Sequence, residues 1–142
     1  MNANATSRSV DPEPALTPRS ATHLPTGPIL RSFFNIASAW SLDRAQTMAL
    51  IGSDSVSTYS AWKRDPDRAR LRPDQIERAS YVFGIYKALQ VLLPRDEAAD
   101  AWVHRPNDAP LFGGRPALER MTSGYVADLA RVREYLDGEL HR

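Results

Sequence analysis

Cysteine is absent from the 142 residues, which excludes disulfide frameworks, thiolate zinc sites and cysteine nucleophiles together and fits a reducing cytoplasm. Long apolar runs are absent too. No window approaches the roughly 20 apolar residues a bilayer-crossing helix needs, and the N-terminus shows no apolar stretch of signal-peptide length. A soluble, cytoplasmic chain with no membrane partner is the expectation. An excess of either charge is also missing. Lys and Arg number 18 against 17 Asp and Glu, a net charge of +1, so any recognition by charge has to be local. Histidine is scarce and scattered: His23 lies near the start, His104 stands alone, and His141 sits beside the terminus. No H-E-x-x-H, phosphate-binding loop or G-x-S-x-G occurs, and Gly113-Gly114 follows no strand. The expectation is therefore no enzyme, no catalytic residue, no metal and no cofactor. Finally, no stretch alternates apolar and polar residues for long enough to argue for a strand, so the fold class expected is all-α.

What is present is an ordinary globular composition, 42% hydrophobic and 25% charged, in a chain long enough to bury a core unaided. Residues 1–28 carry Pro12, Pro14, Pro18, Pro25 and Pro28 among small polar residues, and read as a disordered arm. From Ile29 the pattern is helix after helix. A first helix over residues 29–39 places Leu30, Phe33, Phe34, Ala37 and Trp40 at spacings of three and four. Ser41 has the chemistry of an N-cap for a second, short helix over 42–51, with Leu42, Ala45, Met48 and Ala49 on one side and Gly52 closing it. Ser53-Asp54-Ser55 then opens a third helix over 54–64, with Val56, Tyr59 and Lys63 on one face and Trp62 beside them, ended by Asp65-Pro66.

Two short helices around a glycine turn have the lengths of a helix-turn-helix, whose second helix enters a DNA major groove. Ser55, Ser57, Thr58 and Ser60 would then face bases or phosphates, with Lys63, Arg64, Arg68 and Arg70 holding the backbone. Between Trp62 and Arg72 five basic residues stand against two acids. An ordinary helical hairpin with a solvated charged face would show the same pattern. The three tryptophans, Trp40, Trp62 and Trp102, each lie beside an apolar helical face and read as core.

Arg72-Pro73-Asp74 starts a long helix over 73–93, because proline suits the first helical turn and an acid suits the positive end of the helix dipole. Its apolar residues leave little polar circumference, as expected of the central helix of a bundle. Pro94 stops it. A further helix runs over 95–104 until Pro106-Asn107, and a turn-rich segment over 108–116 follows. Pro116 then opens a short helix, Gly124 ends it, and a last helix carries Tyr125, Leu129, Val132, Leu136 and Leu140 in a stripe. Leu111 and Phe112, two apolar residues in a turn, are either tucked beneath it or offered to a partner.

The run Ala101-Trp102-Val103-His104-Arg105-Pro106-Asn107, then Leu111-Phe112-Gly113-Gly114-Arg115-Pro116, then Ser123-Gly124 and Tyr135-Leu136-Asp137-Gly138, resembles the W-L-x-x-P-N … G-x-x-P … G … Y-L-x-G pattern of the bacterial Xre/MbcA/ParS antitoxins. The resemblance spans roughly residues 72–142, and the front half matches more loosely, with a longer interval between Gly52 and Trp62. It implies a helix-turn-helix over 29–70 and a toxin-binding domain over 71–142. It implies an antitoxin that sterically blocks a toxin, an NAD-degrading RES-domain protein or a ParT-like one, and represses its own operon by binding operator DNA. Toxin contact would fall on Leu111, Phe112, Gly113, Gly114, Arg115 and Pro116, with Arg131, Arg133 and Arg142 of the last helix reaching toward the toxin's cleft. Operators of paired half-sites imply a homodimer or a higher even assembly. The alternatives are a transcriptional regulator with no toxin partner and a toxin-binding module that no longer binds DNA.

Overall fold

The structure, a computed structural model, describes residues 25–142, and these are all-α as expected. Seven α-helices follow one another: α1 Thr26–Ala39, α2 Arg44–Ile51, α3 Val56–Arg64, α4 Pro73–Leu92, α5 Asp96–Ala101, α6 Ala117–Met121 and α7 Val126–Leu140. Two 3-10 turns, Pro66–Arg68 and Trp102–His104, continue α3 and α5. The one extended pairing among the described residues is an isolated bridge between Pro106 and Pro116.

Proline punctuates the chain where the sequence pattern places it. Pro73 opens α4, where its missing amide hydrogen has no helical partner to lose, and Asp74 in the first turn favours the dipole's positive end. The arm, however, ends sooner than expected. Residues 26–28 are helical, because Pro28 falls in the first turn of α1, where proline is tolerated. Thr26 also hydroxyl-bonds the carbonyls of Pro66 and Ala69 at 3.3 and 3.0 Å, and buried Gly27 lies under the Asp67 carboxylate. The remainder of the arm, with His23, lies outside the described residues.

The start of α2 is also shifted. Ser41 does not cap it; its backbone turns through φ 55°. Asp43 is the cap, accepting the Gln46 amide at 2.8 Å while the Gln46 side chain accepts the Asp43 amide at 2.9 Å. That rotation puts Thr47, Leu50 and Ile51 inside, in place of the expected Ala45, Met48 and Ala49 face. In α3 the buried residues are Tyr59 and Trp62, while Val56 and Lys63 are exposed.

α4 is the axis. It packs most extensively against α7 and also meets α1, α2 and α5. Ala79, Val82, Ile85 and Leu89 of α4 interlock with Leu30, Phe33 and Trp40 of the α1 region and with Leu129, Val132 and Leu136 of α7 in one continuous cluster. The α4–α7 seam is tight. A Cβ on Gly84 would stand 1.7 Å from Nη1 of Arg133, whose guanidinium therefore lies directly on the α4 backbone. Val91, near the end of α4, is exposed.

A polar junction ties the turn between α2 and α3 to this axis. The Gly52 carbonyl accepts from Arg72 Nη2 at 3.0 Å and from Gln75 Nε2 at 3.1 Å, and Gln75 is almost fully buried. Asp74 bridges Arg72 and Arg78, and Arg78 reaches on to the Gly124 carbonyl at 2.9 Å. The hydrogen bond from Arg72, with help from Arg78, holds the Asp74 carboxyl below its ordinary pKa of 3.8.

Three outcomes follow for stability, each read from denaturant midpoints. Gly52→Ala should cost about 1–2 kcal/mol, since φ 77° disfavours any Cβ and the Arg78 side chain leaves it no room. Asp43→Ala should cost about 1 kcal/mol, whereas Ser41→Ala should change little, the reverse of what a Ser41 cap would give. A depressed carboxylate pKa stabilises above its unfolded value and is lost as pH falls through the folded one. Wild type should therefore lose stability below pH ~4 more steeply than Asp74→Asn; equal acid limbs would remove the Asp74 junction from the account.

Candidate functional site

Two surfaces carry the residues singled out in the sequence. The first is the outer side of α3 and the segment after it. Burial of Tyr59 and Trp62 fixes the helix by its inner side, Tyr59 meeting Phe34 edge-on at 5.7 Å. That leaves Ser57, Thr58, Lys63 and Arg64 exposed and Ser60 half-buried. Ser55 is differently employed. It is the N-cap, with its hydroxyl accepting the Thr58 amide at 3.2 Å and lying 3.1 Å from the Ser57 hydroxyl. The Lys63 ammonium sits 5.1 Å from the centre of the Phe34 ring, which steadies the side chain without burying its charge.

Beside α3 runs an open groove of about 550 Å³, walled by Thr58, Trp62, Arg64, Arg68, Ala69 and Arg70. Its charge is one-sided. Asp67 is taken by Arg31 through two contacts of 3.2 and 3.3 Å, leaving Asp65 as the groove's acid. Arg64, Arg68 and Arg70 are exposed and have no ion-pair partner among the described residues. The structure thus brings together four of the expected phosphate-binding cations, Lys63 included, on or beside one surface.

The second surface is the segment between the two ends of the Pro106–Pro116 bridge. It is closed by its own backbone. Asn107 donates to the Arg115 carbonyl at 3.2 Å, Gly114 donates back to Asn107 at 2.7 Å, and the Asn107 side chain accepts the Ala109 amide at 2.9 Å. Gly113 and Gly114 have φ of 59° and 86°, values that explain glycine at both places with no neighbouring group involved.

This closure divides Leu111 from Phe112. Phe112 is buried, its ring 5.8 Å from Trp102 and 5.3 Å from Tyr135, edge-on to both. It is core. Leu111 is half-buried and walls a cavity of about 330 Å³ with Arg115, Pro116, Arg120, Ser123 and Asp128, and an edge of the buried Phe112 side chain contributes to the same wall. Across that cavity the charges are organised: Arg115 pairs with Glu119 at 2.8 Å, Arg120 with Asp128 at 3.3 Å, and the Ser123 hydroxyl meets the Asp128 carboxylate at 2.6 Å. The lining therefore mixes apolar groups, Leu111, Phe112 and Pro116, with charges already paired to one another, and suits a partner side chain with an apolar body and a polar end.

The last-helix residues do not converge on this cavity. Arg133 lies on the seam against Gly84 and bonds Asp137 at 3.2 Å; Arg142 bonds Glu139 at 2.9 Å beside the terminus; Arg131 is exposed. Burial, with the Glu139 charge adding to it, pushes the Tyr135 hydroxyl above its ordinary pKa of 10.0. His104, isolated in the sequence, meets the Trp40 carbonyl and so ties the segment after α5 to the end of α1. Arg120, Ser123 and Asp128 were not legible as site residues. They are spread over two helices and a turn, and no period links them.

Two family models match the chain in tandem. Residues 21–84 match the antitoxin Xre-like helix-turn-helix domain, and residues 88–142 match the antitoxin Xre/MbcA/ParS C-terminal toxin-binding domain. The chain is also 42% identical over 110 residues, 78% of its own length and 82% of the relative's, to an uncharacterized protein, y4oB, of Sinorhizobium fredii. A relative so close over so much of both chains, with both family matches in order, carries the conclusion that the chain belongs to the Xre/MbcA/ParS antitoxin family.

Proposed function

We propose that this antitoxin neutralises an NAD-degrading RES-type toxin, or a ParT-like one, by occluding its cleft, and that as a homodimer or higher even assembly it represses its own operon in the cytoplasm. One observation supports the reading: among the described residues the chain presents two open and chemically different surfaces, a cationic one at α3 and a cavity of mixed apolar and paired-charge lining at the closed loop, on a single scaffold. A repressor that also disarms a partner needs both.

In this reading residues 29–70 supply the DNA-facing part and residues 71–142 the toxin-facing part, with α4 supporting both. Ser57, Thr58 and Ser60 approach base edges, Ser55 holds the start of the reading helix, and Lys63, Arg64, Arg68 and Arg70 hold phosphates. Leu111, Gly113, Gly114, Arg115 and Pro116 form the toxin contact, and Arg131 and Arg142 meet the toxin from the separate surface of the last helix. Phe112 and Arg133 position that contact from inside the fold. A loop already closed by its own hydrogen bonds loses little entropy on binding, which favours tight inhibition.

For DNA, Lys63→Ala and Arg64→Ala should each weaken binding to the duplex upstream of the gene and lower the salt slope by about one. No salt-dependent binding by wild type would remove the repressor half. For the toxin, Leu111→Asp should abolish copurification with the toxin encoded beside it and rescue of growth arrest while the protein still melts cooperatively, its midpoint lowered less than by Phe112→Ala because the side chain is only half-buried. Phe112→Ala, by contrast, should cost about 3–5 kcal/mol of stability as a core aromatic. A stable Phe112→Ala protein that fails only in toxin binding would return that ring to the interface.

A further inference from the structure

We infer that the groove beside α3 is also a docking site for the chain's own N-terminal segment, residues 11–16, which DNA must displace. The regulatory half of this inference rests on the DNA-binding reading; the docking half does not.

Three observations converge on that occupant. First, the place: the described chain begins at Pro25, and Thr26 is hydrogen-bonded to the carbonyl of Ala69, itself a wall of the groove. The segment preceding it is therefore tethered at the groove's edge. Leu16 and Thr26 stand ten positions apart, enough chain to span up to about 33 Å, so reach imposes no obstacle. Second, the charge: Arg64, Arg68 and Arg70 have no ion-pair partner among the described residues, and Arg31 removes Asp67 from competition. Asp11 and Glu13 are the two acids that the sequence places before Thr26, and they stand two residues apart. Third, the chemistry between the charges: Pro12, Pro14, Ala15 and Leu16 match a groove whose lining includes Trp62, Ala61 and Ala69 beside its arginines. Proline next to each acid reduces the conformational freedom lost on docking, and grooves lined in part by an aromatic residue favour proline-rich segments.

Tethering sets the size of the effect. A short flexible link gives an effective concentration in the millimolar range, so even an intrinsic dissociation constant of about 1 mM fills the groove much of the time. Bound DNA neutralises the same arginines, so arm and DNA compete. The arm then acts as a weak brake on DNA binding, which raises the protein concentration needed to occupy DNA without altering which sequence is preferred.

The test uses the full-length protein without DNA, carrying the photo-crosslinker benzoylphenylalanine in place of Ala15. Intramolecular crosslinks mapping to residues 58–70 are expected, and they should be lost with Asp11→Asn and Glu13→Gln together and in molar salt. Crosslinks elsewhere, crosslinks between two copies, or none at all would overturn the docking. Separately, Asp11→Asn with Glu13→Gln should tighten binding to an arbitrary duplex about three- to five-fold at low salt, with melting unchanged. If the crosslink forms and duplex affinity does not move, the groove is no part of the DNA surface; the docking stands and the competition with DNA is overturned.

Discussion

α4 has to hide apolar groups around most of its circumference, and the rest of the chain is arranged to let it. Gln75, Ala79, Val82, Ile85, Ala88 and Leu89 are buried along it, while Phe83, Tyr86 and Leu92 pack against the same cluster. Each large aliphatic or aromatic group so buried is worth about 1.5–3 kcal/mol, far more than any exposed ion pair in the molecule. No single neighbour can cover such a helix. α1 and α2 cover it from one part of the sequence and α5 and α7 from another, so the two regions each complete the other's core. The family matches meet within α4, between residues 84 and 88, rather than in a linker.

The polar contacts serve that packing. The Gly52 carbonyl is claimed twice, by Arg72 and by Gln75, which fixes the turn between α2 and α3 on the first turn of α4. Arg78 extends the same set of bonds to Gly124 at the far loop. The presentation of α3 and of the cavity beside Ser123 therefore shares one rigid support. On the cavity side, Trp102, Phe112 and Tyr135 form an edge-on stack that keeps the closed loop seated, with Leu111 half-buried at its edge and Arg115 exposed.

Helix number, order and most boundaries were legible because proline, glycine and the three-and-four apolar spacing act locally. The faces were less so. In α2 the apolar residues Ala45, Met48 and Ala49 are too small or flexible to fix an orientation, and a capping box at Asp43, not Ser41, decided it. The start of α1 was hidden because three-dimensional partners, the Pro66 and Ala69 carbonyls, stabilise a turn that composition alone disfavours. Of the candidate sites, the cationic surface could be read from charge spacing, since its residues are near in sequence. The cavity at the loop could be read only in part: Leu111, Arg115 and Pro116 are near one another in sequence, but Glu119, Arg120, Ser123 and Asp128 come from α6, α7 and the turn between them, and a phenylalanine in a turn gives no sign of which way it points.

A shared central helix also bears on how such proteins diversify. Where two activities sit on separate folded units, either can be exchanged between relatives by recombination in the connecting segment. Here a crossover near residue 86 would split α4, and one before Pro73 would hand the incoming half a helix whose buried side chains were fitted to a different α1 and Trp40. Substitution on the two outer surfaces carries no such packing cost, so the fold favours changing either surface in place over exchanging one half for another.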